Sequence, residues 1–560
     1  MKRFTRILGL VLALLTVCSL CTLFVACGDD PTPTPGPSED DTEKLLDITK
    51  YSGRTCRIWI RKGFVAPIWV EEAGVSNTSR ATRKRIEAIQ DKTGIKIEPI
   101  ESSTVATVYE GAGGDTFVLD AMMKANDPEQ TPDILMPGGV SACTLASMGY
   151  FIDLDSDKAP YIDLTHPGWQ SQANDALSIC GTYYTVSGMF STRGFESVGC
   201  MYFNKDLLGT LPAFPTVEGD NETRDKQFAS LYELAKEGNN AKGGWTFPKM
   251  LSYVSQYYVD DDGKAGKTEG DTFGYTYSIN NAYATHLACG IHYVEQDENG
   301  IPKVVANTEQ VLDVLEWLRA NIQQKDFAWG GADNYAGFRG GKVVFANGEV
   351  GNLSGHSAVE NFNFGVLPMP KFNDAQENYC GFAHAWSTLL AAIPACAKDT
   401  EFSSFCLQLI TEMGYTPWAD GITTLYDAYV TDSLIGRYAP SDYDIEMLQI
   451  VLPSLVYDMS DFYYGWRASG QSTLANMMRN AFNNGSADYG GFRGRCLCNQ
   501  YPADAGKTWT DPARIIEKFT KCTHSIRVCA FFIGGILENC TKTQYKNCEI
   551  DRKLRRATTF

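Results

Sequence analysis

The chain has 560 residues, of which 44% are hydrophobic and 12% aromatic, so its composition supports large cores and excludes a disordered protein. Its formal net charge is −18, although residues 493–560 carry thirteen Lys and Arg against six Asp and Glu. The acidic charge therefore lies in the body of the chain. Such a body repels polyanions, which argues against nucleic acid or acidic phospholipid as a partner and favours a neutral or cationic ligand.

The N-terminus has the order of a secretory signal. Residues 1–26 begin with basic side chains and continue with an apolar stretch, and Cys27 follows directly. A cysteine at this place, before a polar tract, resembles a bacterial lipoprotein signal. We therefore expect a signal peptide over 1–26, a lipid (palmitate) on Cys27, a flexible linker over 27–50 and a location at the outer face of the cell membrane. An ordinary signal peptide with an incidental cysteine and a transmembrane anchor are the alternatives.

Strands and helices alternate in the first part of the body. The apolar periodicity predicts strands at 56–60, 95–100 and 133–136 and helices at 80–92, 117–125 and 140–148. This alternation predicts an α/β fold with a parallel sheet. Ligands of such sheets lie beyond the carboxyl ends of the strands, at loops such as 137–141.

The second part continues with mixed elements. Thr246 is the expected N-cap of a helix, and residues 297–300 have the composition of a hairpin turn. The remaining predicted strands are 198–203, 271–278, 342–345, 349–353, 364–369 and 387–393, and the remaining predicted helices are 308–323 and 401–413.

Neither the cysteines nor the acidic turn indicates a metal site. Eight cysteines between residues 56 and 406 are scattered singly in apolar runs, which is typical of buried small hydrophobic residues. Asp260, Asp261, Asp262, Gly263 and Glu269 imitate half of a calcium loop, but Tyr258 stands at the first ligand position and we expect a solvated turn. No metal and no cofactor are expected.

The end of the chain differs from the body. Residues 490–560 are basic and rich in cysteine, and Cys496 and Cys498 lack the spacing of a zinc site. A small extra domain, a disordered tail and translation in a shifted frame are three interpretations of this segment. The abrupt change of composition favours the shifted frame.

Several short motifs occur in the order typical of one family. The run 201–207 (MYFNKDL) resembles the "yNkdl" segment of extracellular solute-binding proteins of carbohydrate ABC transporters. Similar pieces of the family pattern are found at 131–134 with 149–154, at 338–349, at 364–370 with 386–394, and at 437–458. The resemblance covers about residues 51–485 and identifies the chain as a member of the family 1 solute-binding proteins.

The resemblance implies a fold and a function. The implied fold is α/β and two-lobed, of the type II periplasmic-binding-protein kind, with discontinuous lobes joined by hinge crossings near 198–206 and 366–374. The lobes are expected at 51–200 plus 371–425 and at 201–370 plus 426–485. The implied function is capture of a sugar or oligosaccharide between the lobes by a monomer, which delivers it to an ABC permease without catalysis.

The resemblance also suggests ligand-binding positions. Sugars present hydroxyl groups and apolar C–H faces, which carboxylates, amides and aromatic rings can contact. The candidate positions are Gly138, Gly139, Ser141, Glu196, Asn280, Asn281, Tyr283, Ser354, His356, Trp386 and Trp466.

Two other functions remain open at this point. A secreted glycan-processing hydrolase would use two carboxylates. Because acidic residues are plentiful in this chain, their presence does not favour a hydrolase over a binding protein. A glycan adhesin would bind without transport. The sequence contains no nucleophile elbow and no HExxH motif, and therefore we expect no enzyme.

Overall fold

The computed structural model describes most of the body of the chain. It describes residues 48–102, 113–219, 225–279, 282–306, 308–331, 334–360, 362–419 and 421–463, with Leu474, Met478, Arg479 and Phe482. The signal segment, Cys27 and the basic tail lie outside these residues. Contacts divide the chain into residues 1–50 and residues 51–560, and the fold below is that of the second unit. Within the described ranges, no helix combines the length and apolarity that a membrane span requires.

A parallel sheet organises the first part of the body. The elements are β1 (Thr55–Ile60), α1 (Asn77–Thr93), β2 (Lys96–Glu101), α2 (Gly113–Ala125), β3 (Ile134–Met136), α3 (Gly139–Ser147), α4 (Ser171–Leu177) and α5 (Arg193–Glu196). The strand order is β2-β1-β3 with all pairs parallel. The central strand β1 is buried at Ile58, Trp59 and Ile60, as expected for a strand covered on both faces. The predicted parallel sheet is confirmed.

A larger mixed sheet organises the second part. Its elements are β4 (Gly199–Asn204), α6 (Lys205–Leu208), α7 (Ala229–Glu237), α8 (Phe247–Val254), β5 (Tyr258–Val259), β6 (Thr272–Ser278), α9 (Ala282–Ala288), β7 (Val294–Gln296), β8 (Pro302–Val304), α10 (Glu309–Leu318), β9 (Ala328–Gly331), α11 (Asn334–Arg339), β10 (Val343–Glu349), α12 (Leu353–Ser357) and β11 (Phe364–Pro368). The order is β11-β4-β10-β6-β5, and β9 also pairs with β6. The predicted N-cap Thr246 accepts a hydrogen bond from the N–H of Lys249, and β7 and β8 form the predicted hairpin.

The last part of the body contributes one piece to each lobe. Its elements are β12 (Gly381–Phe382), α13 (Thr400–Tyr415), the π-helical segment Asp427–Tyr438, α14 (Asp442–Val451), β13 (Leu455–Val456) and α15 (Met459–Phe462). Residues 389–394 lie antiparallel to the first sheet, with Ala392 opposite Leu135. Helix α14 instead packs against β11 of the second sheet. Both lobes are therefore built from discontinuous pieces of the chain, and the fold is two-lobed α/β, as predicted.

Buried hydrophobic residues form one cluster around the first sheet and a larger cluster around the second, and the larger cluster also includes Val140 of α3 and Leu177 of α4. The first lobe buries Ile58, Ile134 and Phe405, which joins α13 to the first sheet. The second lobe buries Tyr202 and Phe345 among the residues of the mixed sheet. Burial of apolar area contributes about 25 cal/mol per Å², so both clusters stabilise the fold.

Three sequence predictions differ from the structure, and the first is the strand expected at 387–393, where only isolated bridges form. The predicted strand at 349–353 is wrong, because β10 ends at Glu349 and a 3₁₀ turn follows. Glu349 and Asn352 cap this turn reciprocally and so satisfy backbone N–H groups that a strand would pair. The predicted helix 308–323 ends as an α-helix at Leu318 and continues as a π-helical segment, Arg319–Gln323.

The cysteines are mostly buried. Cys56, Cys143, Cys200, Cys289 and Cys406 are fully buried, as predicted. Cys180, Cys380 and Cys396 are only partly buried.

The motif run at 201–207 stabilises the fold. The side-chain oxygen of Asn204 accepts hydrogen bonds from the N–H groups of Asp206 and Leu207 and thereby caps α6. The Nζ atom of Lys205 lies 2.7 Å from Asp225 Oδ1 and 3.2 Å from Asp444 Oδ2. Asn204 and Lys205 of the motif therefore make hydrogen bonds and ion pairs within the protein.

Candidate functional site

Polar residues of the first lobe meet at one edge of its sheet. Arg61 follows β1 directly, and its N–H donates to the carbonyl of Met136 at the end of β3. Gly138 then caps the start of α3, and Asp115 lies in the first turn of α2. The carboxyl ends of parallel strands share one edge, which is the usual ligand position in such sheets.

Arg61 and Asp115 form a buried pair at this edge. Arg61 Nε lies 3.8 Å from Asp115 Oδ2, and the two side chains are 8% and 1% exposed. This distance is too long for a hydrogen bond, and among the described residues neither carboxylate oxygen has a partner of ordinary geometry. Burial raises the pKa of Asp115, although Arg61 and the N–H of Gly138 act in the opposite direction. Asp115 is thus a buried carboxylate that lies near Arg61 and the Gly138 N–H but forms no hydrogen bond of ordinary geometry among the described residues.

The ring of Phe64 contacts two guanidinium groups. The Cζ atoms of Arg61 and Arg193 are 4.8 and 4.4 Å from its ring centroid. Such cation–π contacts contribute about 0.5–2 kcal/mol each. Arg193 also pairs with Glu196 at 2.9 Å, and Thr192 Oγ1 donates to Glu196 at 2.5 Å.

The segment that returns to the first lobe closes the edge. We call residues 381–394 the return segment. Arg61 Nη1 donates to the carbonyl of Trp386 at 2.9 Å, and the N–H of Gly139 faces the carbonyls of Ala385 and Thr388 at 3.1 and 3.0 Å. A Cβ atom on Gly139 would lie 2.9 Å from the Ala385 oxygen, so only glycine permits this approach.

Glu349 connects the second lobe to the return segment. It ends β10, and Ser387 Oγ donates to its Oε1 at 3.0 Å. Burial raises the pKa of Glu349 to about 7, and Glu196 adds to this rise, while Ser387 and Arg193 act against it.

The backbone of Trp386 is held by His384, which in turn contacts the buried side chain of Tyr283. The N–H of Trp386 donates to His384 Nδ1 at 3.0 Å, which places the ring proton on Nε2, where it faces the Tyr283 hydroxyl at 2.5 Å. Burial lowers the pKa of His384, so the imidazole is neutral. The carboxyl edge of the first sheet and the return segment thus bring together a buried carboxylate, two guanidinium groups and two aromatic side chains, Phe64 and Trp386.

A family model agrees with this architecture. The model of the bacterial extracellular solute-binding proteins matches residues 84–411, which is more than half of the chain. The chain belongs to this family. The predicted family relationship is confirmed, and an extracytoplasmic location follows from it.

Solved structures of similar fold include proteins described with saccharides. A cyclo/maltodextrin-binding protein complexed with maltotetraose is 14% identical, with a TM-score of 0.43, and the match covers 72% of this chain and 87% of that one. An ABC substrate-binding protein from Listeria monocytogenes with cycloalternan is 14% identical, with a TM-score of 0.44 and coverage of 78% and 100%. The GacH receptor of Streptomyces glaucescens is 14% identical, with a TM-score of 0.41 and coverage of 77% and 92%. No curated protein matches the sequence.

Five of the predicted ligand positions of this solute-binding protein lie around the carboxyl edge of the first sheet. They are Gly138, Gly139, Ser141, Glu196 and Trp386. Ser141 is buried and accepts a hydrogen bond from Thr116 at 3.0 Å.

The other predicted positions lie elsewhere or are not described. Tyr283 is buried beneath the return segment, and Ser354 is exposed on α12. His356 lies in the aromatic core of the second lobe, 4.4 Å from the ring of Tyr202. Asn280, Asn281 and Trp466 lie outside the described residues.

Sequence reasoning missed several residues of this candidate site. Arg61, Phe64, Asp115, Arg193 and Glu349 were not among the candidates. A charged residue directly after a buried strand, as at Arg61, was a usable signal. Glu349 was part of a family motif, but the sequence does not show that Ser387 lies beside it.

The acidic turn is held by the chain's own donors. Oxygens of Asp260, Asp262 and Asp271 lie within 4.8 Å of one another. Asp262 pairs with Lys264 at 2.9 Å, and Asp271 accepts the N–H of Thr268 at 2.8 Å. The third acidic residue of this group is Asp271, whereas the sequence pattern pointed to Glu269.

Proposed function

We propose that this solute-binding protein captures a sugar or oligosaccharide in the cleft between its lobes and delivers it to the permease of an ABC transporter. Lipid on Cys27 holds the monomer at the outer face of the cell membrane. The observation that supports the proposal best is the buried Asp115 carboxylate, which lies near Arg61 and the Gly138 N–H but forms no hydrogen bond of ordinary geometry among the described residues.

The chemistry of the cleft suits a neutral, polyhydroxylated ligand. A hydroxyl group can donate to Asp115 and also accept from a guanidinium, which neither an apolar ligand nor a simple cation can do. Phe64 and Trp386 supply apolar faces for the C–H side of a sugar ring. Arg61 and Arg193 are balanced by Asp115 and Glu196, so the cluster does not demand a charged ligand.

The proposed division into lobes remains 51–200 plus 371–425 and 201–370 plus 426–485. Its support is that β4, the first strand of the second sheet, begins at Gly199, and that residues 389–394 rejoin the first sheet. Solutes of such proteins lie between the lobes, which close around them.

A thermal-shift screen tests the function. Purified protein without residues 1–27 is heated with maltose, maltotetraose, cellobiose, xylobiose and mannobiose. We expect at least one saccharide to raise Tm, because a ligand at 100 times its Kd stabilises the native state by about 2.7 kcal/mol. Chromatography of the same mixtures should recover the saccharide unchanged. Product formation would indicate a hydrolase, and no shift with any saccharide would contradict the proposal.

Replacement of Cys27 tests the tether. In cells that make the Cys27→Ala protein, we expect it in the culture medium, because the acylated side chain is gone. The matched control is Cys396→Ala, a partly buried cysteine of the body, which should remain with the membrane fraction. Immunoblots of medium and membranes measure both. A Cys27→Ala protein that stays with the membranes would contradict the lipid anchor.

A further inference from the structure

Two buried cysteines meet in the first lobe. Cys56 lies on β1, and Cys406 lies on α13, 350 positions later in the chain. Both side chains belong to the hydrophobic cluster around the first sheet, and neither has any solvent exposure. Their thiol groups interact directly with each other. The helix therefore brings a second sulfur to the strand that carries the first.

The contacts between the start of β1 and the start of α13 explain this meeting. Arg54 Nη1 lies 2.7 Å from Asp399 Oδ2 at the N-cap of α13, and the Arg54 guanidinium lies 3.7 Å from the ring centroid of Phe402. Cys56 follows Arg54 by two residues, and so both side chains point to the same side of the extended chain. Cys406 follows Phe402 by four residues, which places both on the same face of the helix. The two cysteines are therefore the next pair along a strand and a helix that already touch at Arg54 and Phe402.

The pair has no sign of another chemical role in the described part of the chain. Among the described residues, no group of three side chains with metal-binding atoms includes either cysteine. Burial raises the pKa of Cys56 well above its ordinary value, and Cys406 adds to this rise. The thiolate is the nucleophilic form of cysteine, so the folded lobe does not present Cys56 as a reactive group.

We propose that Cys56 and Cys406 are joined by a disulfide bond in the exported protein. The family to which the chain belongs is extracellular, and disulfides form and persist outside the cytoplasm. A disulfide requires two Cβ atoms that approach each other, which side chains on facing sides of a packed strand and helix do. The bond closes a loop of 350 residues and ties α13 to the central strand of the first sheet. Such a closure restricts the unfolded chain and thereby stabilises the native state.

The bond forms by thiol–disulfide exchange before the lobe is packed. The thiolate of one cysteine attacks a disulfide donor, an oxidised protein dithiol, and the donor releases one thiolate. The thiolate of the other cysteine attacks the first cysteine's sulfur in this mixed disulfide, which forms the Cys56–Cys406 bond and releases the donor's second thiolate. The two cysteines lose two electrons, the donor gains them, and the two cysteine protons end on the donor's thiols. Burial then protects the bond from reductants.

Peptide mapping tests the bond in the full chain. Cells that export the protein are lysed in denaturant with N-ethylmaleimide, which labels free thiols and stops exchange. Proteolysis and mass spectrometry then follow three cysteines. We expect the peptides of Cys56 and Cys406 as one cross-linked, unlabelled species, and as two labelled peptides when the protein is reduced before labelling. Cys396, whose sulfur contacts Thr131 and Met123, is the internal control and should be labelled in both samples.

The map also contains the results that would overturn the proposal. Label on both Cys56 and Cys406 in the unreduced sample would show two free thiols. A link from either of them to a different cysteine would show that the native pairing is another one.

Thermal unfolding gives a second measurement. The wild type and the double variant Cys56→Ala with Cys406→Ala are each unfolded and refolded with and without a reductant. The fall in Tm on reduction should be larger in the wild type by roughly 4–15 °C, since only the wild type has this bond to lose. Cys396→Ala is the matched control and should respond to reduction like the wild type. Equal falls in the wild type and the double variant would overturn the proposal, and if the double variant does not fold, the peptide map decides alone.

Discussion

Asp444→Ala is expected to lower the free energy of unfolding by about 3–5 kcal/mol, the loss typical of a buried ion pair that is deprived of one partner. Equilibrium urea denaturation, followed by tryptophan fluorescence and by circular dichroism, measures the change. An unfolding midpoint within error of the wild type would contradict the expectation.

Asp444 has this effect because four donors converge on a side chain with no solvent exposure. Its Oδ1 accepts the Tyr232 hydroxyl and the N–H of Val366, both at 2.8 Å. Its Oδ2 accepts the Ser441 hydroxyl at 2.6 Å and Lys205 Nζ at 3.2 Å. Without the carboxylate, each donor loses a bond that water cannot replace.

The electrostatic part of this loss falls on Lys205. Burial alone would lower the pKa of Lys205, but Asp444 and Asp225 outweigh it and raise the pKa above its ordinary value. A charged ammonium that keeps only Asp225 would remain in a nearly dry site, 9% exposed. The double variant with Lys205→Met should therefore lose less stability than the sum of the two single variants.

Asp442→Ala is the matched control. Asp442 lies in the same first turn of α14 but is exposed. Its removal costs only the attraction between a carboxylate and a helix N-terminus, about 0.3–1 kcal/mol. A comparable loss in both variants would mean that the helix terminus, and not the buried ion pair, determines the stability.

Local patterns were sufficient to predict most of the fold. The helix expected at 80–92 exists as α1, because Ser76 caps its start and Gly94, with a φ of 71°, ends it in the left-handed region. The strand at 56–60 could be predicted because a central parallel strand is apolar on both faces. The error at 349–353 arose because a reciprocal cap between two polar side chains outweighed the apolar pattern.

The site was less predictable because its residues are distant in the sequence. Arg61 and Trp386 are 325 positions apart and meet only through the return of the chain to the first lobe. The motif residue Lys205 stood out in the sequence, but the structure gives it a role in stability. Its partner Asp444 lies 239 positions later, and only the folded chain shows that this lysine stabilises the lobe. Spacing within a motif does not contain that information.

Asp115→Asn is expected to reduce the affinity for a bound saccharide by roughly 10- to 150-fold, while Tm of the ligand-free protein stays the same or rises. A hydrogen bond to a charged group contributes about 1.5–3 kcal/mol, which corresponds to that range. Fluorescence titration with the saccharide that gives the largest thermal shift measures the affinity, and thermal unfolding without ligand measures Tm.

Affinity and Tm are expected to respond differently because Asp115 is buried at a cost to the charged carboxylate. A pKa raised by burial means that the folded protein disfavours the charged carboxylate more than Arg61 favours it. A neutral amide of the same size therefore removes a charge that is unfavourable on balance, although it also weakens the attraction to Arg61 and to the Gly138 N–H. Such a group is retained at a cost to stability where function needs it.

Asp120→Asn provides the opposite pattern on the same helix. Asp120 accepts the Tyr150 hydroxyl at 2.7 Å and pairs with Lys124, so its replacement should lower Tm and leave the affinity unchanged. If Asp115→Asn behaves like Asp120→Asn, the buried carboxylate serves the fold and the ligand binds elsewhere. If Asp115→Asn alone loses affinity without losing stability, the buried carboxylate binds the solute, because a residue that stabilises only its own fold cannot produce that combination.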